Sequence, residues 1–201
     1  MENFTTSIAS SYYTALTTRF YKNETVYLLW YGEVYTSDHN KKVKCYLVVD
    51  EEFRTMAGNN PQWPDWQSRT IIIFENMDDP FEQKFGIDWQ ISRLDGSWES
   101  PNYPDNIYDL WEDAKKHVGW DWWGNTDGEY EALAVFTGQL CLDTPSILGV
   151  AELNGNDFIV RDFNSCAGQH EMSHLYGCYD HDPGLWTWCV MSYTWGYYVR
   201  S

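Results

Sequence analysis

Apolar residues recur along this chain in three rhythms, and each rhythm predicts a kind of element. Trp66, Thr70, Phe74, Met77, Phe81 and Phe85 fall every three or four positions, and Gly86 closes the run. That spacing keeps one face apolar through successive 3.6-residue turns, so it predicts a long helix with a glycine stop. Pro80 lacks an N–H and should disturb it. A rival reading takes Thr70-Ile71-Ile72-Ile73-Phe74 as a buried strand on β-propensity. Ile107, Leu110, Trp111, Ala114 and Val118 repeat the helical rhythm and end near Gly119.

The second rhythm is alternation, and Ile87–Ser92 shows it, predicting a strand. The third is a short unbroken apolar run. Val26–Tyr31 and Val43–Val49 read as strands that could form a hairpin across the polar cluster Thr36–Lys41, with His39 a solvated loop residue. Ala132–Phe136 reads as a central strand buried on both faces. Ile147–Ala151 and Phe158–Val160 read as partners joined by the turn Asn154-Gly155-Asn156. Residues 1–24, rich in Thr and Ser, are expected to form a packed, partly helical extension. Strands alternating with helices imply a mixed α/β (α+β) sheet.

The chemistry is concentrated near the end. A helix is expected after Asn164-Ser165, both good N-cap residues, and it carries Gln169-His170-Glu171-Met172-Ser173-His174. On a helix, positions four apart share a face, so both imidazoles can address one metal ion. Glu171 follows the first histidine and can reach a water there without being a ligand. Gly177 offers a left-handed stop, and Cys178-Tyr179-Asp180-His181-Asp182 follows the turn. Either Asp180 or His181 could supply a third ligand, leaving one position open for water. Histidine is the commoner zinc partner. Asp182 and His181 could otherwise orient a ligand from behind.

The pattern HExxHxxGxxD at 170–180, with Cys189-Val190-Met191-Ser192-Tyr193 shortly after, resembles the metzincin clan of zinc endopeptidases over roughly 25 residues. Most of that clan has histidine where Asp180 stands; Asp180-His181 is similar to the snapalysin arrangement. The resemblance implies one catalytic zinc ion on His170, His174 and Asp180, with His181 the alternative third ligand. Glu171 would be the general base of peptide-bond hydrolysis. Met191 would be the Met-turn methionine beneath the metal, and Tyr193 a tyrosine that steadies the oxyanion or serves only as a pocket wall. It further implies a twisted mixed sheet, with 66–85 as backing helix and an edge strand near 147–152 that pairs with an extended protein or peptide substrate. An upper subdomain over 1–177 would end with the zinc helix, and a small lower one would occupy 178–201.

Charge narrows the partners. Acids outnumber bases 30 to 13 in 201 residues, a net charge of −17. Nucleic acid and anionic membrane surfaces both call for clustered Lys and Arg, so neither is an expected partner. No apolar run approaches the roughly 18 residues of a membrane span. The N-terminus lacks the basic-then-apolar layout of a signal peptide, and the expectation is a mature secreted chain acting as a monomer.

Five cysteines are an odd number. Cys178 and Cys189 flank the third-ligand region and could be bridged, the alternative being buried thiols. Among 36 aromatic residues (12 Trp, 15 Tyr, 9 Phe), the cluster Trp120–Trp123 could stack a sugar or peptide, or cap its own core. Two rivals to an active protease remain: a latent or inactive one held shut by residues 1–24 or by a separate partner, and a zinc-stabilised binding module for glycan or peptide.

Overall fold

The computed structural model describes residues 41–59, 65–102, 106–121, 124–125, 129–140, 147–161, 165–180 and 191, with the strand backbones of 13–21 and 24–32. Along the chain come β1 (Tyr13–Tyr21), β2 (Glu24–Gly32), β3 (Lys41–Val49), α1 (Glu51–Gly58), α2 (Trp66–Phe85), β4 (Ile87–Asp95) and α3 (Ile107–Val118). There follow β5 (Trp120–Asp121), β6 (Gly124–Asn125), β7 (Ala132–Thr137), β8 (Gly149–Ala151), β9 (Asp157–Arg161) and α4 (Ser165–Leu175). Five strands form one mixed sheet in the order β4-β3-β7-β9-β8. All neighbours in it are parallel except β8, which pairs antiparallel with β9 at one edge.

Parallel crossovers put helices on both faces of the sheet, which is why β7 is buried at every position and reads as a continuous apolar run. Its alternate residues serve two cores. Cys45, Leu47, Val49, Ala132, Ala134, Phe136, Phe158 and Val160 pack with α1, α2 and α4 through Phe53, Phe74, Met77, Phe81 and Met172. Tyr46, Val48, Leu133, Val135 and Ile159 pack on the other side with Leu110, Trp111 and Ala114 of α3. Trp120, which lies in β5, is buried in that second core. Trp122 and Trp123 lie outside the described residues.

The hydrophobic rhythm of 66–85 is borne out as one 20-residue helix, and the strand alternative for 70–74 fails. Asp65 caps its start by accepting from the Ser68 N–H, and Gly86 ends it at φ 63°. Two expectations need correction. Residues 13–21 are extended, in keeping with a segment rich in Thr, Tyr and Phe, types that favour strands over helices. The strand 24–32 pairs with β1 through the two-residue connection at 22–23, not with β3. Both edges of β3 are taken by parallel partners, β4 and β7, so no edge remains for a hairpin mate.

One buried acid in this framework should make stability depend on pH. Asp78 of α2 is 3% exposed, and its Oδ1 has no hydrogen-bond partner. Burial pushes its carboxyl up to about 7, with Asp88, Glu75 and Glu82 adding repulsion and the Trp89 N–H opposing. Between the ordinary aspartate value near 4 and about 7, the folded chain holds a proton that the unfolded chain has released. This group's contribution to stability is therefore lost as pH rises through that window. Asp78→Asn should gain stability relative to wild type between pH 5 and pH 8, measured by urea midpoints at both. A gap that stays constant with pH would show that Asp78 does not titrate there.

Candidate metal centre

Helix α4 lies against α2, β8 and β9, and its path is set by what precedes and follows the two histidines. Gly168 sits so close to α2 that an added Cβ would lie 2.3 Å from Met77 Sδ. Beside it, Gln169 Nε2 donates to the Asn76 carbonyl at 2.9 Å. That carbonyl is the one a helical N–H at position 80 would serve, and position 80 is proline. The disturbance expected at Pro80 thus appears as an acceptor used by the neighbouring helix. Together these contacts fix the turn that carries His170 and Glu171.

The helix ends in a Schellman motif. The Cys178 N–H donates to the Ser173 carbonyl at 3.2 Å and the Gly177 N–H to the His174 carbonyl at 2.9 Å. Gly177 adopts φ 80°, where only glycine is unstrained, and Asn154 Oδ1 occupies the space a Cβ would need. The reversal has two consequences. It brings the Cys178 carbonyl to 2.8 Å from His174 Nδ1. A carbonyl only accepts, so Nδ1 carries the proton and Nε2 is left with a lone pair for a metal. The reversal also returns Asp180 to the histidines.

There, three electron-rich atoms converge. His170 Nε2 and His174 Nε2 are 3.1 Å apart, and Asp180 Oδ1 is 3.0 Å from the first and 3.5 Å from the second. A tetrahedral zinc ion with bonds of about 2.0–2.1 Å separates its ligands by roughly 3.3 Å. The triangle fits that ion, and two imidazoles with a carboxylate are a donor set suited to zinc. Glu171 belongs to the same cluster, in which the ligand atoms of His170, Glu171 and His174 all lie within 4.8 Å of one another. Its Oε1 is 4.0 Å from His170 Nε2, farther out than Asp180, as suits a base beside a metal and not a ligand on it.

Electrostatics separate the roles further. Glu171 is 5% exposed, and burial pushes its carboxyl up to about 7; His170 pulls it down and Asp180 adds repulsion. A bound cation would lower it. Burial lowers the pKa of His174 and His170 adds to this, against the Cys178 carbonyl and Asp180, so the imidazole favours the neutral form that ligates.

Of the residues marked by sequence, His170, Glu171, His174 and Asp180 are thus brought together. Met191 is buried. His181, Cys189, Tyr193 and most of 178–201 lie outside the described residues, and so does any bridge from Cys178 to Cys189. No disulfide is present among the described cysteines. Three contributors escaped the reading of the sequence: Gln169, the Cys178 carbonyl, and Gly149, whose position on β8 would put a Cβ 2.6 Å from Glu171 Cγ. A glycine inside a strand signals close approach of another group, and that signal was present in Ile147–Ala151.

No family model matches this chain, and no curated protein sequence does. Among solved structures, a chain from "Structure of a chaperone-substrate complex" aligns at TM-score 0.50 and 12% identity, over 83% of this chain and 26% of that one. Archaemetzincin from Methanopyrus kandleri aligns at TM-score 0.48 and 17% identity, over 80% and 84%. Metalloproteinase-II from Bacteroides fragilis aligns at TM-score 0.47 and 14% identity, over 76% and 48%. This chain therefore spans about a quarter of the first neighbour's length and about half of the third's. Likeness at such identity concerns the path of the chain, and the chemistry has to be read from the side chains.

Proposed function

We propose that this protein is a zinc-dependent endopeptidase of metzincin type. The observation that carries the reading is the triangle of His170 Nε2, His174 Nε2 and Asp180 Oδ1, with the buried Glu171 carboxylate beside it. His170, His174 and Asp180 would hold the ion. A zinc ion supplies Lewis acidity there, lowering the pKa of a water and polarising a carbonyl. Glu171 then holds at its carboxylate the proton taken from water and hands it to the leaving amine nitrogen.

The substrate would be a protein or peptide laid in extended form along β8. That short strand is bonded to β9 on one side, and no strand pairs with its other side among the described residues. Backbone pairing on such an edge presents successive carbonyls in register. By the motif resemblance, Met191 would form a floor under the metal and Tyr193 would stand by the oxyanion, with 178–201 as the lower wall of the cleft. We propose that the enzyme acts as a secreted monomer.

The test is cleavage of casein, an unstructured substrate, by protein carrying one equivalent of zinc. Cleavage should cease on treatment with 1,10-phenanthroline and return on adding zinc. Intact casein in the presence of the fully loaded protein would sink the peptidase reading, as would cleavage indifferent to the chelator.

A further inference from the structure

We propose that Gly149 is a positioning residue for Glu171: the missing side chain at this point of β8 defines where the carboxylate sits. The inference deepens the hydrolytic reading above and rests on it for its kinetic arm. Gly149 pairs with Val160 and Ala151 with Phe158, so both face the core shared by α2 and α4, while Val150 packs toward α3. On that inner face the strand backbone meets the side chain of Glu171 directly. A Cβ at 149 would lie 2.6 Å from Cγ and Oε1 and 2.8 Å from Cδ of Glu171. These are about 1 Å inside the ~3.5 Å optimum for such atoms.

What would give way differs from one glycine to another. At Gly138 an added Cβ meets the backbone of Glu52 and Phe53, which cannot yield without moving the start of α1. At Gly149 the three nearest atoms all belong to one side chain, the one proposed to move the proton. Glu171 is buried, with Oε1 4.0 Å from His170 Nε2. A methyl group at 149 therefore displaces the base while the sheet and the histidines stay in place. Misplacement of a reacting group by about 1 Å costs on the order of 100-fold in rate.

Two measurements on Gly149→Ala test this. In casein or peptide cleavage, kcat should fall about 100-fold, with KM within about threefold of wild type and zinc stoichiometry unchanged. In thermal unfolding, Gly149→Ala should lower Tm in the wild-type background but not in Glu171→Ala, where the obstructing side chain has gone. The thermal cycle needs no turnover, so it judges Gly149 even in a chain that cleaves nothing. Failure of the hydrolytic reading and failure of this inference are thereby distinguishable. If Gly149→Ala fails to fold alone, folding of the double variant supports the proposal and failure of both overturns it. An unchanged kcat overturns it, and so does an equal loss of Tm in both backgrounds.

Discussion

Asp180→Ala is expected to empty the metal site, while His181→Ala leaves it filled. Zinc affinity should fall by more than about 100-fold in the first variant, beyond the usual 10–100-fold cost of losing an outer-shell partner. In the second it should stay within a few-fold. The ground is geometric. Asp180 Oδ1 closes a triangle with two imidazole nitrogens at 3.0 and 3.5 Å, and the glycine-ended reversal that brings it there also sets the His174 tautomer through the Cys178 carbonyl. Removing Asp180 leaves two ligands, too few for a tightly held ion. Chelator competition on each variant decides the matter. Were His181→Ala to empty the site while Asp180→Ala stayed loaded, the assignment would be wrong, and the commoner histidine ligation would replace it. The choice has a chemical consequence: a carboxylate ligand brings negative charge to the ion and makes it a milder Lewis acid than three imidazoles would.

How much of this was legible in the sequence follows from what kind of interaction each feature depends on. Helix α4 could be read because its signals are local: two histidines one turn apart, a glutamate between them and Gly177 at the stop. Helix α2 could be read because five apolar residues and Thr70 keep one phase over 20 residues. The pairing of β2 could not. That β3 is not its partner depends on β3 being claimed on both edges by β4 and β7, strands that lie far away in sequence. Helix α1 was overlooked although its marks are local, with Asp50 accepting from the Phe53 N–H, acids in the first turn, and Phe53 and Ala57 on the buried face. At eight residues its apolar rhythm completes barely two turns, too few to stand out against noise.

Within the site the same division holds. Residue identity announces candidate ligands and a candidate base, but Gln169 matters only because Pro80 lies across from it on another helix. The hydrogen-bond partner of His174 is a backbone carbonyl, which every residue type would supply. Asp180 and His181 are neighbours in sequence, and only the folded reversal shows that the aspartate reaches the histidines. Chemistry by side-chain type can be anticipated; chemistry by tertiary approach has to be seen.

Glu171→Gln separates binding the ion from using it. The amide keeps the size of the carboxylate and can fill the same buried space against Gly149, so the helix and its ligands should stand. What it cannot do is take a proton at neutral pH. Turnover of casein should fall by roughly 10²–10⁴-fold, the range for loss of a general base, with zinc content and Tm near those of wild type. Glu171→Asp should lie between the two, since one methylene less draws the carboxylate back toward the helix axis and away from the cleft. The prediction depends on Glu171 standing at 4.0 Å from His170 Nε2, beyond the distances of Asp180. Were Glu171 itself the third ligand, Glu171→Gln would lower zinc content along with turnover. Were the site a structural zinc in a binding module, the variant would change neither, because a purely structural ion has no use for a base. Measured together, zinc content and turnover tell base, ligand and bystander apart.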